Sequence, residues 1–377
     1  MSATAAPAIV IPSALLPADG RFGSGPSKVP VAAVRQMAAQ APFGTSHRQA
    51  PVRTLVARVR AGLGQLLAVP DGYEVLAGNG GSTAFWDAAA FGLVQERAQH
   101  VVCGEFSAKF AAITTGAPFL AAPDVRRVEP GAGREPVAAV GVDTYAWPQN
   151  ETSTGVTLPV RRVRGADDGA LMLVDATSSA GAIETDLAEV DAYYFAPQKV
   201  FAAEAGLWFA VLAPAALERV AAIAGGGRWI PPSLDLQLAL ANSRLDQTYN
   251  TPAIGSLWLM AHQVEDLLAR GGVHWAAARS AASAAALYGW AERSHYATPF
   301  VADPARRSPV VGTIDLDPAI DAAWVAATLR ANGVVDTEPY RGLGRNQLRI
   351  GMYPAVDPGD VAALTACIDF VVGAAAA

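Results

Sequence analysis

Two side chains in this sequence have the type and setting for covalent chemistry with a carbonyl compound. The stretch "DAYYFAPQKVFAAEAGLWFAVL" (191–212) holds a single lysine, Lys199, between two apolar runs. Burial disfavours the charged form of an amine, so a lysine there gives up its proton readily, and the neutral amine condenses with an aldehyde. An isolated lysine more often threads its ammonium out to water, so its neighbours must decide between the two readings. Asp175 closes the apolar stretch "ALMLVDAT" (170–177). In a parallel sheet the carboxyl ends of the strands face one crevice, where side chains from different strands meet. An acid there suits the ring nitrogen of pyridoxal phosphate, which acts as an electron sink when protonated. Taken alone, Asp175 reads equally as a turn residue. "GNGGST" (78–83) follows a strand and opens a helix, so its backbone N–H groups and positive dipole end form a phosphate cradle. Phosphate loop, strand-end acid and strand-end lysine in that order are more specific together than any one of them.

The elements that would position these groups follow from hydrophobic periodicity. "YEVLAG" (73–78) reads as a strand and "STAFWDAAAFGLVQ" (82–95) as the helix after it, with Ser82 able to cap its start. Further strands are expected at "HVVCGE" (100–105), "DTYAWP" (143–148), 170–177, "DAYYFA" (191–196) and "GLWFAVL" (206–212). Strands apolar on both faces and separated by helical spacers predict an α/β fold with a mostly parallel sheet covered on two sides. From about residue 253 the pattern changes: two long helices (253–270 and 272–293), "VVGTIDL", a helix near 320–332, "NQLRIGMY" and a last helix from Pro358 predict a smaller α+β domain. The expected division is an N-terminal segment (1–16) packing on the small domain, a large domain (17–265) and the small C-terminal domain (266–377).

Composition narrows the function classes. The 377 residues are 52% hydrophobic, enough for two sizeable cores. With 28 Lys plus Arg against 34 Asp plus Glu, the chain has no basic surplus for a nucleic acid backbone. The two cysteines, Cys103 and Cys367, are far apart in apolar surroundings, which argues against a disulfide framework or a zinc site. The first twenty residues contain no Lys or Arg and no uninterrupted apolar run reaches about 18 residues, so a cytoplasmic protein without membrane association is expected.

Beyond these residue-level readings, the sequence resembles the phosphoserine aminotransferases, in particular their actinobacterial branch. These are class V members of the fold type I (aspartate aminotransferase-like) pyridoxal phosphate enzymes. The likeness is carried nearly end to end by "FGSGPSKVP", "GTSHRQAP" (44–51), "GNGGSTAFWDAA", "GEFSAKF", "NETSTGV" (150–156), "VDATSSAG", "YYFAPQKVFA" and "YNTPA" (249–253). It implies a seven-stranded large domain with pyridoxal 5'-phosphate bound covalently to Lys199, which would also move the substrate Cα proton, and with Asp175 on the pyridine nitrogen. Gly81 and Ser82 would take the phosphate through their backbone, and Thr152 and Gln198 would bond the ring oxygen or phosphate. Phe106 falls where the family usually stacks a tryptophan on the ring. Asn250 and Thr251 would reach the cofactor phosphate of a neighbouring subunit, which implies a homodimer. The resemblance places substrate recognition on His47, Arg48, Arg345 and Arg349. Arg349 would grip a carboxylate in a bidentate fork. The usual adjacent His and Arg before a Gly-Gly are replaced here by "YRGLGRNQLR", so the phosphate cations are expected to be Arg345 or Arg341, with His47 assisting.

The implied reaction is ping-pong transamination of O-phospho-L-serine with 2-oxoglutarate to 3-phosphohydroxypyruvate and L-glutamate. It serves serine biosynthesis, and the same activity on a phosphorylated threonine derivative would serve pyridoxine biosynthesis. A cysteine desulfurase or other lyase on the same fold is the alternative, and it requires a mobile, exposed cysteine. A non-catalytic cofactor-binding protein is a third reading, and the retention of both Lys199 and Asp175 speaks against it.

Overall fold

The computed structural model describes residues 9–376. Residues 1–8 of the expected N-terminal segment therefore lie outside the described residues. After a 3-10 turn at Ser13–Leu15 come two helices, α1 (Val31–Gln40) and α2 (Ala50–Leu66), and the chain then alternates: β1 (Glu74–Asn79), α3 (Ser82–Gly92), β2 (Ala98–Val102), α4 (Glu105–Gly116), β3 (Asp124–Arg127) and β4 (Thr144–Pro148). A small hairpin, β5 (Asn150–Glu151) and β6 (Val156–Thr157), precedes β7 (Leu171–Asp175), β8 (Ala192–Phe195) and β9 (Leu207–Leu212). Helices α5 (Pro214–Gly225), α6 (Leu236–Arg244), α7 (Ile254–Arg270) and α8 (Gly272–Arg293) follow. The tail is β10 (Ala297–Pro299), β11 (Val311–Leu316), α9 (Ala322–Ala331), β12 (Gln347–Gly351) and α10 (Pro358–Ala376).

Seven strands form one sheet in the order β1-β9-β8-β7-β4-β2-β3. β9 runs antiparallel to both its neighbours, and all other pairs are parallel. Successive side chains of a strand alternate between faces, and both faces are apolar. Leu207, Phe209 and Val211 pack with α2 and α7 in one core, while Trp208, Ala210 and Leu212 pack with α3, α5 and α6 in another. A third core joins α8, α9 and α10 to the antiparallel sheet β10-β11-β12, and Ile9, Ile11, Leu15 and Leu16 pack against it. α10 is long and apolar enough to cross a membrane by length and composition, yet Val361, Leu364, Ile368 and Val371 are spent on this core.

Three local expectations shift. The strand expected at 100–105 ends at Val102, because Ser107 Oγ accepts the backbone N–H groups of Cys103 and Gly104 and turns the chain into α4. The helix expected to reach residue 95 ends at Gly92, where the Asp143 carboxylate takes the N–H groups of Gln95, Glu96 and Arg97. Ser82 does not cap α3: Gly81 occupies the cap position without a side chain, and Ser82 Oγ accepts a hydrogen bond from Thr177 instead.

Candidate active site

The carboxyl ends of the strands open onto a cavity of about 720 Å³, within the range of about 300–1,000 Å³ typical of small-molecule sites. Gly80, Gly81 and Ser82 after β1, Phe106 after β2, Asn150 and Thr152 after β4, Asp175 at the end of β7, and Gln198 and Lys199 after β8 all line it. The topology thus gathers residues more than a hundred positions apart, as expected where parallel strands end together.

Lys199 is buried. Its Nζ donates to the carbonyl of Ser24 at 2.9 Å, and burial, reinforced by Arg349, pushes its pKa down to about 7. The loop that receives it, residues 24–27, precedes α1. Ser27 N–H donates to the Gln198 carbonyl at 2.8 Å, and Tyr353 Oη donates to the same Ser24 carbonyl at 2.8 Å. A Cβ on Gly25 would stand 1.7 Å from Lys199 Nζ, so "GSGPS" is sequence made to fit this amine.

Asp175 is held by donors on both oxygens: Trp86 Nε1 to Oδ2 at 3.0 Å, and Thr177 N–H to Oδ1 at 2.9 Å. Burial raises its pKa, and the Thr177 and Trp86 donors oppose that rise by favouring the carboxylate. The Trp86 contact is absent from the sequence reading. Trp86 lies in the "GNGGSTAFWDAA" stretch, but nothing in the local pattern tells which strand end its indole N–H meets.

The fit of this cavity to pyridoxal phosphate rests on its own polar atoms. In its lining, Asn150 Oδ1 and Gln198 Oε1 are buried with no partner among the described residues, a costly state unless a ligand completes them; the same holds for Ser24 Oγ and Arg349 Nε, whose residues bond the lining residues Lys199 and Thr152 through other atoms. At the start of α3 the first-turn N–H groups carry no side-chain cap, and a Cβ placed on Gly81 would meet nothing within 4 Å. That is open space at a positive helix end, suited to a phosphate. An amine, an acid and an aromatic face at Phe106 complete the donor set that such a cofactor needs.

Comparison with known proteins agrees with this geometry. Residues 140–337 match the family model described as aminotransferase class-V. A phosphoserine aminotransferase of Nocardioides sp. is 60% identical over 97% of this chain and 98% of that protein, and one of Rhodococcus opacus is 57% identical over 96% and 98%. The chain belongs to the phosphoserine aminotransferase family. Among solved structures, a phosphoserine aminotransferase of Cytophaga hutchinsonii shares the fold at a TM-score of 0.86, with 23% identity over 93% of this chain and 99% of that one. The fold type I architecture expected from the sequence is therefore the one present.

The remaining family positions divide into two groups. Arg349, on β12, is not itself in the cavity lining but borders it: Nη1 donates to the carbonyl of the lining residue Thr152 at 3.2 Å, and its guanidinium lies 5.3 Å from the Tyr340 ring centroid. Burial lowers its pKa, and no carboxylate within the chain pairs with it among the described residues. Arg345 differs. It is exposed, ion-paired with Asp315 and stacked 4.4 Å above the Phe300 ring centroid, and it does not line the cavity. Within the subunit, Arg345 is thus engaged by Asp315 and Phe300.

His47, Arg48, Asn250 and Thr251 also stand outside the cavity lining, and they form a cluster of their own. Thr251 Oγ1 and His47 Nδ1 are 3.1 Å apart, and the guanidinium of Arg48 is spent on Asn242, Gln247 and the Tyr249 carbonyl. Partial burial and the neighbouring Arg48 lower the His47 pKa. The desulfurase alternative finds no thiol: Cys103 and Cys367 are buried, and burial pushes both thiols up, Cys367 to about 11.

Proposed function

We propose that this protein transfers the amino group of O-phospho-L-serine to 2-oxoglutarate, with pyridoxal phosphate seated in the 720 Å³ cavity against Lys199 and Asp175. The observation that carries the reading is an uncharged-prone buried amine and a donor-held acid at adjacent strand ends, in a chain 57–60% identical to proteins named phosphoserine aminotransferase. When bound, the cofactor supplies a carbonyl carbon that accepts the amino group and a pyridinium ring that draws electron density from the substrate Cα.

The chain's own residues do the rest. Lys199, whose burial favours the neutral amine, would take the Cα proton and hand it to the carbon that receives the amino group within the same half reaction, and would move a proton the opposite way in the second. Asp175, whose anionic form the Trp86 and Thr177 donors favour against the effect of burial, would hold the proton on the ring nitrogen. The free N–H groups at the start of α3 would hold the cofactor phosphate, and Thr152 and Gln198 in the same lining would supply further hydrogen bonds. Phe106 would supply an aromatic face for the ring. Arg349 offers its unpartnered Nε edge to the α-carboxylate, a group that phosphoserine and glutamate share, so one cation serves both half reactions.

The protein is further proposed to act as a homodimer. Phe43, Leu245 and Tyr249 are large apolar side chains left exposed near the His47–Thr251 cluster, and an apolar patch of this kind suits subunit contact. In that dimer the His47, Asn250 and Thr251 surface faces the neighbouring cavity and contributes to anion binding there. Two unpaired, buried thiols accord with a reducing cytoplasm. Mixing the purified holoenzyme with phosphoserine tests the central reading: loss of the visible cofactor band with formation of 3-phosphohydroxypyruvate is expected, and an unchanged spectrum rejects it.

A further inference from the structure

Glu151 is fully buried, with no cation paired to it among the described residues. Its two oxygens instead accept five hydrogen bonds: from Phe106 N–H at 3.3 Å, Ser153 N–H at 3.2 Å and Ser153 Oγ at 2.7 Å on one, and from Ser107 N–H at 2.9 Å and Ser107 Oγ at 2.8 Å on the other. Ser153 Oγ in turn accepts the Glu105 N–H at 2.9 Å. The first-turn N–H groups of a helix have no partners inside it, and they are ordinarily met by a capping side chain or water. Here the residue before α4 is Gly104, which has no side chain to offer. A Cβ at that position would stand 2.4 Å from Glu151 Cγ, so the glycine lets the carboxylate approach from a different element. An anion at the positive end of a helix is also favoured by the dipole.

We propose that Glu151 is a positioning residue: its carboxylate, entering from β5, clamps the first turn of α4 and so fixes the Phe106 ring over the cavity. The inference rests on the reading of this cavity as the pyridoxal phosphate site. Glu151, its neighbour Thr152 and the distant Tyr340 then form one wall. Glu151 holds Phe106 from below, Thr152 offers its carbonyl to Arg349, and Tyr340, in edge contact with Phe106 at 5.8 Å between centroids, stacks on the same guanidinium. A phenyl ring covers less of the pyridine than an indole, so its placement depends more on the helix that carries it.

The test is Glu151→Gln, which keeps volume but turns one acceptor into an amide that faces N–H donors. In the cofactor-free protein, amide hydrogen exchange at residues 105–107 should accelerate at least tenfold while exchange in β7 and β8 is unchanged. In the holoenzyme, kcat/KM should fall on the order of tenfold to a hundredfold, the cost of a displaced wall rather than a lost reacting group. In a Phe106→Ala background the same change should cost less than about threefold, because the two act through one contact. Additive losses, or unchanged exchange at 105–107, would overturn the proposal. Should wild-type protein show no transamination while exchange responds as described, the functional reading fails and the clamp stands.

Discussion

Replacement of Arg349 by alanine probes substrate recognition most sharply. In the folded chain this guanidinium is largely desolvated, spends only Nη1 on the Thr152 carbonyl, and leaves Nε buried without a partner. An incoming carboxylate would meet two parallel N–H donors in place of water. Truncating one member of a buried, hydrogen-bonded charge pair costs about 2–5 kcal/mol. At about 1.36 kcal/mol per decade, that is a loss of roughly 30- to 5,000-fold in kcat/KM. The Thr152 carbonyl also loses its donor, which places the expectation in the upper half of that range on a logarithmic scale. Arg349→Lys keeps the charge without the fork and should recover part of the loss. Stopped-flow measurement of each half reaction, with phosphoserine and with 2-oxoglutarate or glutamate, provides the check. Both should fall by similar factors, since both substrates carry the carboxylate. A loss below about threefold, or one confined to a single half reaction, refutes the assignment.

Other perturbations reach the remaining parts of the site. Lys199 is held near pKa 7 against an ordinary 10.5, so the folded, cofactor-free protein binds fewer protons than the unfolded chain between these values; its stability should rise with pH from about 7 to 10, and Lys199→Met should flatten that rise in denaturant titrations. The rate at which cofactor-free protein captures pyridoxal phosphate should climb through pH 7 for the same reason, and a rate independent of pH would contradict it. Asp175→Asn keeps the shape and removes the charge, so turnover should drop by about a hundredfold or more with little change in melting temperature, as read by steady-state kinetics and calorimetry. Trp86→Phe removes one donor from Asp175 and should lower kcat by a smaller factor, about tenfold, with KM unaltered. Sedimentation of the wild type should give twice the chain mass, and Tyr249→Glu with Phe43→Glu should shift it toward the monomer.

Much of this arrangement could be read from the sequence because burial leaves a plain mark on strands. "ALMLVD", "AYYF" and "LWFAVL" are apolar on both faces, which only a covered sheet requires, and their ends locate Asp175 and Lys199. α2, "APVRTLVARVRAGLGQL", is hard to see in the sequence because its arginines break up the apolar run, although Val52, Leu55, Val59, Leu63 and Leu66 form a regular buried stripe. The edge strand "DVRR" has alternating half-buried positions and too few residues to signal itself. Among the functional groups, Arg345 and Arg349 are the same residue type four positions apart. Arg349 lies within β12, paired with Thr313 of β11, whereas Arg345 precedes the strand and its guanidinium meets Asp315. The roles of Trp86 and Glu151 depend on which distant donor or acceptor lacks a local partner, a property of the folded chain alone.

The covalent attachment site is the most direct test of the whole account. The holoenzyme should be treated with borohydride, digested, and mapped by mass spectrometry. A reduced cofactor adduct on the peptide containing Lys199, and on no other, is the predicted result. An adduct at another lysine, or none in protein that retains the cofactor, would contradict it.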